Sequence, residues 1–526
     1  MFYHSALGTL AFLASASGYV WPSPQLDALE SARFDQEGFN ANPVAFFVQP
    51  CDSFINGSNT GRSNAADWIR TAYHDMATHN ATDGTGGLDA SIGFSEEQAR
   101  PENAGDGFSN TMQLATIPVS RYLPLLADSI ALLALLAIEN CGGPEIAFRG
   151  GRVDAGVPNA PGVPQPQDDL DSQTASFARQ GFTQTDMIGL VACGHTFGGV
   201  QHDFFPDIVN VLNDPTDLAD VAHFDTTFVT FDNNVATEYI SGTTRNPLVV
   251  GFNDTTNSDK RIFGSDGNST MQSFANSPAT FASTCADLFA RMLNTVPSNV
   301  QLTDVISPLP VKPSNIELSL NGDTLQLSGQ VRIWNITDST HTVNMLLEDH
   351  NGGISNITLE FAGLSSSTGG KYSAAWYDFN ATDRLSTLYL DAAAGVKSLS
   401  FAVDGALEDQ NGLGFAIQDG FLFSQTSCQV AVPLSGRIDV AVWNGVNPTR
   451  VFLQEITVTT DSVQRIVVTE LDILPPAEPV PANSAYSIWS INVTDVGANY
   501  GIGAEIDGVK YPVTDPHSFT FPLCQT

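Results

Sequence analysis

Between Ser307 and Ser314 the chain reads Ser-Pro-Leu-Pro-Val-Lys-Pro-Ser, and its patterning changes across that stretch. Proline fixes φ and removes an amide donor, so Pro308, Pro310 and Pro313 together stop a helix and extend the chain. Before it, from about Ser63 to Val305, apolar residues recur at helical spacing, as in Pro124 to Ile138 and Met187 to Cys193, between long Pro/Gly/Asp loops. After it the signal has period 2 and is rich in β-branched and aromatic residues, as in Val331-Arg332-Ile333-Trp334, with turns at Asn321-Gly322 and Asn351-Gly352. A mostly α-helical domain followed by an all-β region is expected.

The β region repeats itself. Leu327-Ser328-Gly329-Gln330-Val331 through Trp334-Asn335 is echoed by Leu434-Ser435-Gly436-Arg437-Ile438 through Trp443-Asn444, Tyr372-Ser373 by Tyr486-Ser487, and Val403-Asp404-Gly405 by Ile506-Asp507-Gly508. This predicts two related β-sandwich units, residues 315–428 and 429–526, after a linker at 307–314. Trp334 and Trp443, on alternating strands, are expected in the cores. Cys428 and Cys524 would clip the second unit shut.

At 526 residues the length suggests about three domains, each able to bury a core. With 57 acidic and 21 basic residues the formal charge is −36, which argues against nucleic acid or an anionic membrane as partner. Residues 1–18 carry an apolar run, Ala6 to Ala14, and end Ala16-Ser17-Gly18, the pattern of a cleaved signal peptide. No later apolar run reaches the roughly 18 residues that span a bilayer, so a secreted, extracellular protein is expected. Six cysteines fit three disulfides in an oxidising compartment, their connectivity open from sequence alone. Eight Asn-x-Ser/Thr sequons, at Asn56, Asn80, Asn253, Asn268, Asn335, Asn356, Asn380 and Asn492, would mark surface glycosylation positions.

Chemistry concentrates in two places. Arg70-Thr71-Ala72-Tyr73-His74-Asp75 reads as a helix, so Arg70 and His74 share one face and Asp75 points off it. Asp75, the Gly87 backbone, Asp89 and Ser91 are hard oxygen donors of the kind calcium takes. The second place is an apolar helix, Met187 to Cys193, N-capped at Thr185-Asp186 and carrying His195 near its end. Thr196 follows, and Phe224 to Asp232 adds two carboxylates and several hydroxyls, a second oxygen set. Asp266, after Ile262-Phe263-Gly264-Ser265, is a carboxylate in an apolar setting able to accept the other imidazole N–H of a metal-bound histidine.

These motifs, with Gly150-Gly151-Arg152-Val153-Asp154 and Ala192-Cys193-Gly194-His195-Thr196 in the same order, resemble the haem peroxidases of the plant, fungal and bacterial superfamily, and most of all the secreted fungal class. The likeness spans roughly residues 45–306, within a haem peroxidase domain expected over 19–306 that would bind haem b and two Ca²⁺. The resemblance implies that His74 is the distal acid–base residue, Arg70 the distal cation, Asn103 the hydrogen-bond partner of His74, and Glu97 a tie to the distal calcium loop. It makes His195 the iron ligand, Asp266 its hydrogen-bond partner, Phe224 the ring beside it and Tyr73 the ring above the haem. Distal calcium would use Asp75, Gly87, Asp89 and Ser91; proximal calcium would use Thr196, Asp225, Thr227, Thr230 and Asp232. Cys51 and Cys141 sit where that class pairs cysteines; Cys193 and Cys285 do not match its positions, and a bridge between them is proposed.

Departures from the family narrow the expected substrate. Tyr73 stands where relatives mostly carry Phe or Trp. The positions of a manganese site are Ser63, Asp67 and Gln201, one acid of three, and the position of a surface Trp is Leu190. A peroxidase using hydrogen peroxide to oxidise small phenolic reductants is expected. The β units lie outside the resemblance and read either as a module binding polysaccharide, cell wall or a protein, or as a glycosylated spacer or cover on the haem domain. The competing reading is an adhesive secreted protein whose peroxidase fold has lost activity.

Overall fold

Helix Asn64–Met76 packs against helix Leu126–Asn140 at the centre of the N-terminal half. The computed structural model describes residues 21–526 apart from 22, 58–59, 118–124, 381–386, 431–434, 459–465, 495–498, 512–521 and 525–526. The expected signal segment, residues 1–18, lies outside the described residues.

Leu126–Asn140 is apolar on nearly every face and correspondingly buried along almost its whole length. Its first amides, Leu126 N and Ala127 N, donate to the Asp154 carboxylate at 3.0 and 2.9 Å, which satisfies donors that a helix start leaves open. Arg152 of the same Gly-Gly-Arg-Val-Asp motif is fully buried, pairs with Asp128 at 2.8 Å, and donates through Nη2 to the Leu293 carbonyl at 2.6 Å. That motif fastens the central helix to the end of helix Pro278–Leu293. Disulfides Cys51–Cys141 and Cys193–Cys285 add two covalent ties in the helical half, and Cys428–Cys524 closes the second β unit, all as expected.

The repeat seen in the sequence is a repeat of architecture. In the first unit a sheet runs Ala406–Glu408, Ser398–Val403, Val343–Glu348, Ile354–Thr358; in the second, Val509–Tyr511, Asn499–Ile506, Pro448–Val458, Ile466–Ile473 takes the same order. Each closes a hairpin at Asp-Gly, with Asp404 and Asp507 at φ 49° and 52° and Gly405 and Gly508 at 85° and 76°. Positive φ at both central residues is what a tight hairpin turn with strand-compatible twist requires. The facing strands Thr324–Trp334 with Ser373–Asp378, and Ser435–Trp443 with Tyr486–Val493, repeat likewise.

The units are less separate than the sequence suggests. Their inner strands belong to one 10-stranded sheet, joined where Phe421–Ser424 pairs parallel with Val311–Asn321 and antiparallel with Ser435–Trp443. Phe421 and Phe423 lie in the second unit's core, so that unit begins before the expected boundary at 428. Residues 307–314 are not a free linker either. Strand Val311–Asn321 starts inside them, Lys312 is fully buried, and Leu309 N donates to Glu30 at 3.3 Å.

A buried ionic cluster explains that burial. Helix Pro24–Phe34 presents Asp27 and Glu30, with Asp35 just beyond, to two cations of the first β unit. Lys312 pairs with Glu30 at 2.8 Å and Asp27 at 3.1 Å, and Arg332 pairs with Asp35 at 2.6 Å and also with Glu30. Charges removed from water need partners in contact, and these have them. Strand Glu37–Gly38 then pairs with Glu360–Ser366 of the β unit. Trp334 consequently packs into the helical half's core, 6.3 Å from the Phe34 ring, rather than into a sandwich core. Trp443 stacks on His350 at 4.6 Å, at the junction between the two units.

Candidate active site

One cavity of about 680 Å³ opens into the helical half, and Arg70, Tyr73, His74, His195 and Phe224 all line it. Helix Asn64–Met76 supplies the first three. Its N-cap is Ser63, whose Oγ accepts from Ala66 N at 3.2 Å. That start sets the helical phase, which turns Arg70 and His74 to the same wall.

His74 Nδ1 lies 2.8 Å from Asn103 Oδ1, and Asn103 Nδ2 donates to the Glu97 carbonyl at 2.8 Å. Since the amide nitrogen is committed to a carbonyl, Oδ1 must accept, so His74 carries its proton on Nδ1 and keeps a bare Nε2. Burial first, then the neighbouring Arg70 cation, pulls the His74 pKa down to about 3. Arg70 donates to the Ala104 carbonyl at 2.8 Å and lies 4.5 Å over the Phe108 ring. Burial lowers its pKa to about 10, which leaves it charged at neutral pH. Tyr73 stacks on Phe177 at 6.0 Å and meets His74 edge-on at 5.9 Å; burial raises its phenol pKa.

Helix Gln184–Gly194 delivers His195 to the same cavity. Its N-cap is Thr183, in a reciprocal capping box with Asp186, two residues before the expected cap. His195 stacks on Phe224 with centroids 4.0 Å apart and planes at 11°. Its Nδ1 lies 2.7 Å from Asp259 Oδ2, not from Asp266. Asp259 Oδ2 also accepts from Asn246 Nδ2 at 2.8 Å. A carboxylate already oriented by an amide fixes Nδ1–H as the donor and leaves Nε2 bare.

The Asp266 expectation fails for a geometric reason. Asp266 Oδ2 accepts from Thr270 N at 2.9 Å and Thr270 Oγ1 at 2.6 Å, holding the start of helix Ser269–Asn276. Asp259 instead sits on helix Ser258–Gly264, where it shares a buried face with Ile262 and Phe263 at spacings of three and four. That spacing was the available signal, hidden in the polar run Asn257-Ser258-Asp259-Lys260. Asn246 and Asn159, below, carry no sequence signal of their own.

The first oxygen set is closed upon itself. Asp75 accepts from the amides of Asp89, Ala90 and Ile92 at 2.9, 2.7 and 2.9 Å, and Gly87 N donates to Thr78 Oγ1 at 3.1 Å. Asn159 Nδ2 stands 2.9 Å from both Asp89 oxygens and 3.0 Å from Ser91 Oγ, and its backbone amide donates to Glu97. Burial, then the Asp89 carboxylate, raises the Asp75 pKa well above the usual range, and burial also raises Asp89 and Glu97.

The second set is more open. Thr196 Oγ1 donates to the Asp232 carbonyl at 2.9 Å, Thr227 N to Asp225 Oδ1 at 2.9 Å, and Thr230 N to the Thr227 carbonyl at 2.7 Å. Asp225 Oδ2 is buried without a hydrogen-bond partner. Burial, with Asp232 and Glu238 adding repulsion, lifts the Asp225 pKa to about 7. Among the described residues no group of three or more His, Cys, Asp or Glu side chains is assembled as a metal site.

Ser63, Asp67 and Gln201 line the cavity, but Asp67 is paired with Arg62 at 3.0 Å. Leu190 is 3% exposed and forms part of the wall, so that position lies inside the protein and not on its surface.

A family model described as peroxidase matches residues 53–280. A WSC domain-containing protein of Arthroderma benhamiae is 38% identical over 372 residues, 69% of this chain and 50% of the relative. That match is longer than the peroxidase match, so the similarity continues into the flanking chain. L-ascorbate peroxidase 5 of Arabidopsis thaliana is 34% identical over 143 residues, 26% of this chain and 49% of the relative. A mitochondrial cytochrome c peroxidase of Emericella nidulans is 30% identical over 141 residues, 26% of this chain and 38% of the relative. The chain thus spans about half the length, or less, of these relatives.

Proposed function

Residues 53–280 being a peroxidase-family domain, we propose that this chain is a secreted haem peroxidase that reduces hydrogen peroxide and oxidises small phenolic-type reductants in one-electron steps. One observation carries the reading: His74 and His195 line the same cavity, and each has its Nδ1 committed to a fixed acceptor. Both imidazoles therefore keep Nε2 for the cavity, which fits a haem held by His195 and faced by His74. Bound haem supplies the redox chemistry that takes two electrons from reductants for each peroxide reduced.

The residues supply the rest. His74 Nε2, neutral at working pH, accepts a proton from the incoming peroxide and returns it to the departing oxygen. Asn103 holds the ring for both transfers. The Arg70 guanidinium stabilises negative charge as the O–O bond breaks, from a position fixed by Ala104 and Phe108. Asp259, oriented by Asn246, keeps the His195 ring in place and makes it a stronger donor.

Calcium at the second oxygen set is part of the proposal. The unpartnered Asp225 oxygen and the raised Asp225 pKa are what excess buried negative charge produces, and a cation among Thr196, Asp225, Thr227, Thr230 and Asp232 would offset it. The first set fits less well, because the Asn159 amide already stands among Asp89 and Ser91; calcium there requires that amide to turn away. Manganese oxidation is not proposed, since Asp67 is committed to Arg62.

Secretion is supported by three disulfides and by exposed sequon residues Asn56, Asn268, Asn335, Asn356 and Asn492. No helix among the described residues is long and apolar enough to cross a membrane. A second reading, an extracellular adhesive protein whose peroxidase fold is catalytically weak, is favoured by the length of the match to the WSC domain-containing protein. Purified, haem-loaded protein decides between them. The peroxidase reading expects a Soret band and peroxide-dependent guaiacol oxidation; a haem spectrum without turnover favours the second.

A further inference from the structure

The turns carrying Pro101–Gly107, Val163–Gln167 and Phe204–Ile208 contribute to the cavity wall, and its charged lining is lopsided. The cations are Arg62 and Arg70. Arg62 is neutralised by Asp106 at 2.7 Å and Asp67 at 3.0 Å. Arg70 is held inward on the Ala104 carbonyl and is the arginine proposed for peroxide cleavage. Arg62 is thus matched by two carboxylates, and Arg70 is assigned to the peroxide oxygens.

Two further carboxylates line the cavity outside any ion pair among the described residues. Asp207 is exposed, and its side chain has no ion pair among the described residues. Glu102, half-buried, takes the Gly162 amide at 3.0 Å and acts electrostatically on Arg179, whose Nη2 donates to the Gly162 carbonyl at 2.6 Å, so Asp207 is the less compensated of the two. The whole chain's charge of −36 adds to the same field. Beside them Phe204 lines the cavity while 40% exposed. A Cβ on Gly105 would lie 3.3 Å from Arg70 Nη1 and 3.9 Å from Phe204 Cδ2, so the ring stands near Arg70 while keeping surface in water.

We propose that this cavity selects planar aromatic reductants that are neutral or cationic and disfavours organic anions, with Asp207 as the charge filter and Phe204 as the ring platform. The proposal rests on the haem-peroxidase reading. An aromatic ring offers an apolar stacking surface, and the exposed edge of a buried cavity focuses the field of nearby unpaired charges.

The test uses the full-length haem-loaded protein with three phenols that differ in charge: tyramine (cation), 4-methylphenol (neutral) and 4-hydroxyphenylacetate (anion). The expected kcat/KM order is tyramine, then 4-methylphenol, then 4-hydroxyphenylacetate, with the outer two separated by roughly tenfold at low salt. Raising ionic strength from about 0.01 M to about 0.5 M should close that gap, because the Debye length shrinks from about 30 Å to a few Å. Asp207→Asn should narrow it at low salt, and Phe204→Ala should raise KM for 4-methylphenol more than it lowers kcat. Equal or better use of the anion, or a gap insensitive to salt, overturns the proposal. Oxidation of none of the three removes the peroxidase reading itself.

Discussion

His195 Nδ1 lies 2.7 Å from Asp259 Oδ2, and the same oxygen accepts from Asn246 Nδ2 at 2.8 Å. The carboxylate is thus oriented from two sides before any ligand arrives. Replacing Asp259 with Asn removes the anionic acceptor, and loss of such a partner typically costs about 10- to 100-fold in affinity or activity. Asp259→Asn should slow peroxide reaction by that order. Asp266→Asn should leave the haem spectrum and the rate nearly unchanged and lower stability by only about 1 kcal/mol, as expected when a helix-start contact weakens. Thermal melts and stopped-flow rates on both variants check the assignment.

The depressed His74 pKa gives a pH dependence. His74 is neutral in the folded chain above about pH 3, whereas in the unfolded chain it titrates near about 6.5. Between those values the unfolded state holds one more proton, so stability falls as pH falls through the window. The peroxide rate constant should be flat from neutrality down to about pH 4 and decline only toward about 3. An acid limb centred near 6.5 would show that the ring is not desolvated.

Calcium removal is the third test. A cation bound at 100 times its dissociation constant stabilises the fold by about 2.7 kcal/mol. Chelation should lower Tm by several degrees, and Asp225→Asn should abolish most of that response. Ser91→Ala should abolish much less, given the Asn159 amide already in the first set.

The cluster between helix Pro24–Phe34 and the first β unit is a stability device. Lys312→Met leaves Asp27 short of a cation and Glu30 with Arg332 alone, in a site that excludes water. Breaking a buried pair from one side costs about 3–5 kcal/mol. Lys312→Met should therefore lower Tm sharply, and the surface pair Lys397–Glu348, broken by Lys397→Met, should barely matter.

Much of this was legible in the residues. Arg70 and His74 at helical spacing, the switch of period after Ser307, and the echo of Val403-Asp404-Gly405 in Ile506-Asp507-Gly508 are local signals, and each corresponds to an element of the fold. The rest depends on contacts between distant segments. Asp259 was hidden because its burial comes from the tertiary placement of a seven-residue helix, while Asp266 looked apolar only by its sequence neighbours. Trp334 alternates correctly on its strand, but its neighbours Phe34 and Tyr372 come from the helical half's first helix and from the bend before strand Ser373–Asp378. The charged residues Lys312 and Arg332 gave no hint of burial, because their partners lie some 280 to 300 positions away.

The account turns on His74 Nε2 as the group that moves the peroxide proton. The most direct measurement is the second-order rate constant for hydrogen peroxide with haem-loaded wild type and His74→Ala, read by stopped-flow absorbance. A positioned general base contributes about 10²- to 10⁴-fold, so the variant should keep its haem spectrum and lose at least about a hundredfold in rate. A variant that keeps both haem and rate would contradict the assignment.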